Sequence, residues 1–306
     1  MTTAAATTSR KQRVVDWTRS PSTLRRLALA SVVVNVGIVV TGGAVRLTGS
    51  GLGCPTWPRC SGGRLVPNDK LGIHGAIEFT NRTLTFVVGV TLLLTLFGAW
   101  RQRRHAGLAL IALLGVPAQA VLGGVVVLTD LNPWLVAVHL LLSIAIIAAT
   151  FLLWWRVAEP ATVSVPPAAQ LLIRALVGVA ALVLTAGTVV TGAGPHAGDL
   201  TDGKVRRIDL PIAGLAQMHA DLVMVLIGLT VGVLALATAL RATPLRKVAA
   251  ILLAVEFAQG VIGYTQYFLH VPPLLVGLHM FGACLVWLGA LGVLLTAART
   301  ATQPDA

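Results

Sequence analysis

The sequence predicts an all-α integral membrane protein of eight transmembrane helices, built as two tandem four-helix bundles related by a pseudo-twofold axis along the membrane normal. Three observations carry this. Hydrophobic residues make up 56% of the 306-residue chain, charged residues only 11%, and the mean hydropathy is +0.85. A soluble domain would carry roughly 25% charged residues. Apolar stretches of spanning length recur eight times. Finally, a 140-residue shift brings matching residues of the two halves into register.

The spans are expected near Leu27–Leu47, Ile73–Trp100, Leu108–Leu128, Leu135–Val157, Leu171–Val190, Ile212–Leu240, Val248–Phe268 and Leu274–Ala297. The first is too long for a signal-peptide core and has no small-residue cleavage site, so it reads as a retained helix. These spans divide the chain into a basic arm (1–26), a first bundle (27–157), a second bundle (171–297) and a tail (298–306).

Basic residues set the orientation. Arg10, Lys11, Arg13, Arg19, Arg25, Arg26, Arg101, Arg103, Arg104, Arg156, Arg174, Arg241, Arg246, Lys247 and Arg299 fall at one end of the spans. Arg46, Arg59, Arg64, Lys70, Lys204, Arg206 and Arg207 fall at the other, and Arg82 lies inside a span. Fifteen against seven places both termini in the cytoplasm, with membrane lipid as the surroundings; the expected location is the cell membrane of a bacterium. The loops Thr48–Gly72 and Thr191–Pro211 then face outward. The net charge of +12 is explained by this topology and needs no nucleic-acid partner.

The internal repeat pairs Ala118-Gln119 with Ala258-Gln259, Gly123 with Gly263, Pro133 with Pro273, Leu135-Val136 with Leu275-Val276, and His139 with His279. A second match pairs Val40-Thr41-Gly42 with Val190-Thr191-Gly192. Four helices per unit give both halves the same orientation in the membrane, hence an axis along its normal.

Depth sorts the seven histidines. His105, His196 and His270 lie in connections, and His74 begins helix 2. His139, His219 and His279 lie inside spans, about 6–10 Å from the outer ends at 1.5 Å per residue. His219 and His279 share a depth and a half of the chain, the arrangement for bis-histidine ligation of a heme inside a bundle. The plain alternative is a hydrogen-bonded packing pair. A shift of 138 from His219 reaches Asn81, so the first half carries one clear ligand, His139.

Glu78 precedes Asn81 by one turn and Arg82 follows it at i+4. An internal Glu78–Arg82 ion pair is one reading. A carboxylate that handles protons beside a heme is the other. Arg82 could instead meet a heme propionate. Asp221 and Glu256 also lie within spans, either as bonding partners of a ligand histidine, as parts of a proton path, or as packing polar groups. Cys54 and Cys60 sit in the first outer loop and can close a small ring, structural or redox-active, in an oxidising compartment. Zinc would need further ligands that the loop lacks. Cys284 reads as a small packing residue.

The stretch from Thr41 through Arg46, Gly49, Gly51, Gly53 and Cys54-Pro55-Thr56-Trp57-Pro58-Arg59-Cys60 closely resembles the first-loop signature of heme A synthases. That resemblance covers nearly the whole chain. It implies oxidation of a heme O methyl group to a formyl group, in heme A biosynthesis for terminal oxidase assembly. The reaction passes through two successive oxidations, giving an alcohol and then a hydrated aldehyde that loses water. The resemblance further implies that His219 and His279 ligate the iron of a heme b cofactor, and that His139 faces the iron of the substrate heme, with Asn81 and Arg82 beside it. It makes Glu78 catalytic and Cys54–Cys60 a disulfide. A heme O synthase and terminal oxidase assembly factors are the implied partners. Many members have histidine where this chain has Asn81, so the second ligand of the substrate heme is open. His74, about 10 Å along the axis from Asn81, is too distant to replace it.

Two other functions compete. A b-type cytochrome passing electrons between quinol and a partner would share the His219–His279 heme and modify none. A heme transporter or chaperone would exploit the tandem repeat for alternating access.

Overall fold

The computed structural model describes residues 20–61, 63–67, 69–199 and 205–299. Most of the expected N-terminal arm, the last residues of the tail and Lys204 lie outside them. Eight long helices dominate: α1 Pro21–Leu47, α2 Gly72–Arg101, α3 Ala106–Leu128, α4 Pro133–Ala158, α5 Pro167–Ala193, α6 Ile212–Ala239, α7 Thr243–Phe268 and α8 Pro273–Thr296. Every one is long and apolar enough to cross a membrane.

Most helices start earlier than the apolar runs. Proline explains much of this: Pro21, Pro133, Pro167, Pro244 and Pro273 occupy the first or second helical position, where φ is already helical and no N–H is needed. Arg25 and Arg26 accordingly lie in α1 rather than in the expected arm. Asn132 caps α4 by accepting the Trp134 N–H at 3.0 Å.

One element has no counterpart in the expectations. Strand β1 (Val163–Val165) pairs in parallel with β2 (Ala297–Arg299), tying the α4–α5 connection to the chain just after α8. Gln170 Nε2 reinforces the joint by donating to the Ala297 carbonyl at 2.9 Å.

Helices α1–α4 pack in a ring, α1 against α2 and α4, with α3 between α2 and α4. Helices α5–α8 pack in the corresponding ring. The rings meet where α1 touches α8, α4 touches α5, and α4 touches α8. The main buried core lies along this seam and through α5–α8, including Ile147, Ile173, Leu176, Leu252, Ala290 and Val293. Trp287 of α8 donates its indole N–H to the Ile144 carbonyl of α4 at 3.1 Å. Apolar side chains such as Phe86, Val90, Leu93 and Phe97 stay exposed along α2, as expected of a face that meets lipid.

Candidate functional site

Three histidines lie one to two turns from the N-terminal ends of their helices: His139 on α4, His219 on α6 and His279 on α8. The His219 and His279 rings face each other with centroids 6.4 Å apart and planes at 73°. The Nδ1 atoms of His139 and His279 are buried without a partner among the described residues, whereas the His219 ring lies within reach of the Val183 backbone of α5. Such groups are costly in an apolar bundle. Each ring edge lies against a glycine of a neighbouring helix. A Cβ built on Gly123 of α3 would sit 3.1 Å from His139 Cε1. On Gly187 of α5 it would sit 3.3 Å from His219 Cε1, and on Gly263 of α7, 3.6 Å from His279 Cε1.

The opposed rings have the spacing that a shared iron would require. Two metal–imidazole bonds of about 2 Å, each continued about 1.1 Å to the ring centre, place centroids about 6.3 Å apart. The 6.4 Å spacing of the two rings fits an iron held between them. Among the described residues, no three His, Cys, Asp or Glu side chains converge as a side-chain-only metal centre.

In the other half, Glu78 of α2 is buried. Its Oε2 accepts the Cys54 backbone N–H at 2.6 Å, and its Oε1 accepts Arg82 Nε–H at 3.0 Å. Arg82 Nη2 also contacts Glu78 Oε1, closing the ion pair. The same guanidinium donates from Nη2 to the Cys54 carbonyl and from Nη1 to the Thr56 carbonyl, both at 2.9 Å. The i,i+4 pair thus clamps the loop onto α2. Cys54 and Cys60 are disulfide-bonded, with Cα atoms 4.4 Å apart. Between them, Trp57 lies against α3 so closely that a side chain at Gly124 would collide with its indole.

Asn81 accepts from Thr41 Oγ1 of α1 at 2.7 Å, so its carboxamide is engaged with α1. His74 Nδ1 pairs with Ser50 Oγ at 2.9 Å and belongs to the loop network. The two long loops join: Gly51 N–H donates to the Gly198 carbonyl at 2.7 Å, and Arg46 Nη2 reaches the Thr191 carbonyl at 3.0 Å. His196 Nε2 pairs with the Val271 carbonyl at 2.8 Å. Asp221 is exposed and accepts from Gln217 at 2.7 Å. Glu256 is 2% exposed on α7 and is bonded to Thr230. Cys284 is buried and free.

The structure therefore brings His219 to His279, and brings Glu78 and Arg82 to the disulfide loop. It leaves Asn81 of α2 bonded to Thr41 of α1. The sequence reading did not assign Gly187 or Thr230, and it singled out Thr41 in the repeat without its bond to Asn81. Gly123 and Gly263 stood out in the repeat, but their role as seats for histidine rings needed coordinates.

A family model described as COX15-CtaA, cytochrome oxidase assembly protein, matches residues 25–291. Among similar proteins, one named heme A synthase from Alkalihalophilus pseudofirmus is 31% identical over 137 residues, 42% of this chain and 46% of that protein. A heme A synthase from Lysinibacillus sphaericus is 33% identical over 135 residues, 42% and 43% of the two chains. One from Geobacillus thermodenitrificans is 32% identical over 136 residues, 41% and 42%. The chain aligns with less than half the length of each of these relatives.

Proposed function

The chain belongs to the COX15-CtaA family of cytochrome oxidase assembly proteins, and from that premise we propose that it is a heme A synthase, an oxidoreductase that converts a methyl group of heme O to the formyl group of heme A. The relatives that align with it carry that name. We place the enzyme in the cell membrane of a bacterium with both termini cytoplasmic, as two four-helix bundles related along the membrane normal. The matching helix contacts of the two halves support that arrangement.

The observation that carries the reading is a pair of unlike sites at one depth. One half holds the opposed imidazoles of His219 and His279. The other holds a lone imidazole, His139, and a carboxylate, Glu78, locked by three donors. The first suits a resident heme b, which when bound would supply one-electron redox chemistry through its iron. The second suits a substrate heme that enters, reacts and leaves.

In this mechanism His139 orients the substrate heme through its iron, and Asn81, whose carboxamide oxygen is bonded to Thr41, supplies no second imidazole. Glu78 is held rigid by Arg82 and the Cys54 amide, so its carboxylate is preorganised to accept a proton or steady developing positive charge near the methyl carbon. Arg82 keeps one Nη1 N–H beyond its bonds among the described residues, available to a propionate. The clamped loop covers the Glu78 carboxylate. Heme O synthase as supplier and terminal oxidase assembly factors as recipients complete the proposed setting.

The test is mass spectrometry of noncovalent hemes extracted from the protein made in cells that also produce heme O. Heme A or hydroxylated heme O beside heme b, lost in Glu78→Gln while heme b stays, is the expected result. Heme b alone, with heme O supply verified, would replace this reading with the electron-transfer cytochrome.

A further inference from the structure

We propose that Glu256 is a proton site coupled to the redox state of the heme held between His219 and His279, exchanging its proton along the face of α7 marked by Gln259 and Gln266. This rests on the heme reading above.

Glu256 lies mid-span on α7 and is 2% exposed. Its Oε1 bonds Thr230 Oγ1 of α6 at 2.8 Å, and its Oε2 is buried without a partner among the described residues. Thr230 Oγ1 also lies 3.0 Å from the Leu226 carbonyl. A hydroxyl has one hydrogen and two acceptor sites. Facing an ionised Glu256, Thr230 donates to the carboxylate. Facing the neutral acid, it accepts from the carboxyl and donates to Leu226. The Thr230 bond can thus be kept in both protonation states without moving a backbone atom, while Oε2 is left for a mobile proton carrier such as water.

The same helix carries further unpartnered oxygens. Gln259 Oε1 and Gln266 Oε1 are buried and, among the described residues, unbonded. Positions 256, 259, 263 and 266 fall on one face of α7 by helical spacing. Gly263, in that row, is the seat of the His279 ring. The row runs from Glu256 past His279 to the loop end of the helix. Lone polar groups in an apolar bundle are expensive, and a line of them at one spacing is how buried water is held.

Helices α6 and α8 pack against α7. Their titratable groups are His219 and Asp221 on α6, and His279 and Cys284 on α8; neither helix carries Lys or Arg. Asp221 is exposed and bonded to Gln217, and Cys284 is buried. No Lys or Arg of α6 or α8 balances an ionised Glu256, and on α7 itself the nearest cation, Lys247, is about 14 Å away along the axis, so the positive charge of an oxidised iron beside His279 would be its compensation toward the other end of α7. Gly263 is about 10 Å from Glu256 along the axis. At such a distance and an effective dielectric of about 20, a unit charge alters proton affinity by roughly tenfold. When a one-electron reductant reduces the iron, Glu256 takes up one proton, and the local net charge is unchanged.

The experiment is a spectroelectrochemical titration of the heme in the purified full-length protein at a series of pH values, with dithionite as reductant. The wild-type midpoint potential should fall as pH rises, and Glu256→Gln should flatten that dependence with the heme spectrum intact. Thr230→Val should move the pH window without abolishing it. Redox-difference infrared spectra of the wild type should show a carboxyl C=O band that shifts in D2O, which decides the matter if Glu256→Gln fails to load heme. A pH-independent wild-type potential with no such band, or a slope unaltered in Glu256→Gln, overturns the proposal. A wild type that binds no heme, or retains it in His219→Ala, overturns the heme reading and this inference with it.

Discussion

Glu78 and Cys54 are joined by a 2.6 Å bond from the Cys54 backbone N–H to Glu78 Oε2, which makes the disulfide loop and the carboxylate a single unit. The Cys54–Cys60 bridge spans a sequence separation of 6, and closing so short a ring is worth about 2 kcal/mol of chain entropy. Reduction should therefore loosen the loop. Hydrogen–deuterium exchange at the Cys54 amide should accelerate by roughly 30-fold, the equivalent of that energy. Unchanged exchange after verified reduction would show that Glu78 and Arg82 hold the loop without the bridge.

Arg82 cannot be replaced by lysine on this geometry. Its guanidinium reaches Glu78, the Cys54 carbonyl and the Thr56 carbonyl at once. An ammonium can reach one or two of these from a single point. Because Arg82 is partly exposed, Arg82→Lys should cost only roughly 1–2 kcal/mol of thermal stability. It should lower heme A formation at least tenfold while leaving heme b content unchanged, as measured by melting curves and pigment extraction. Full activity in Arg82→Lys would limit the arginine to a charge-balancing role.

The two halves should fail separately. His219→Ala and His279→Ala each remove one of two facing imidazoles and should abolish the resident heme spectrum. His139→Ala should leave that spectrum in place and stop product formation. Optical spectra of the three purified variants make the comparison, and loss of the resident heme in His139→Ala would contradict the division.

How far the sequence revealed this arrangement depends on the range of each interaction. Helices were legible because each is a long, mainly apolar run, and their first turns were missed where polar residues and proline precede that run, as at Pro21 and Pro167. The Glu78–Arg82 pair follows from i,i+4 spacing. Their bonds to Cys54 and Thr56 depend on how an irregular Gly- and Pro-rich loop folds back, which no periodicity encodes. The β1–β2 pairing joins three-residue strands from distant parts of the chain, too short for alternation to register. Glu256 was visible as a charge at mid-span, whereas Thr230, its partner across a helix interface, was one of many threonines.

The glycine seats offer a graded test of how tightly each imidazole is held. An alanine at Gly123 puts Cβ 3.1 Å from His139 Cε1, closer than ordinary van der Waals contact, so the ring or α3 must yield. At Gly263 the corresponding distance to His279 is 3.6 Å, an ordinary contact. Gly123→Ala should therefore impair the substrate half, lowering heme A yield several-fold. Gly263→Ala should bind heme b with an unaltered spectrum. Although a shift of 140 makes the two positions equivalent in sequence, the structure predicts unequal tolerance. Pigment extraction and optical spectra of both variants provide the check. Equal sensitivity at both glycines would mean that the half-ångström difference between the seats does not govern how the rings are held.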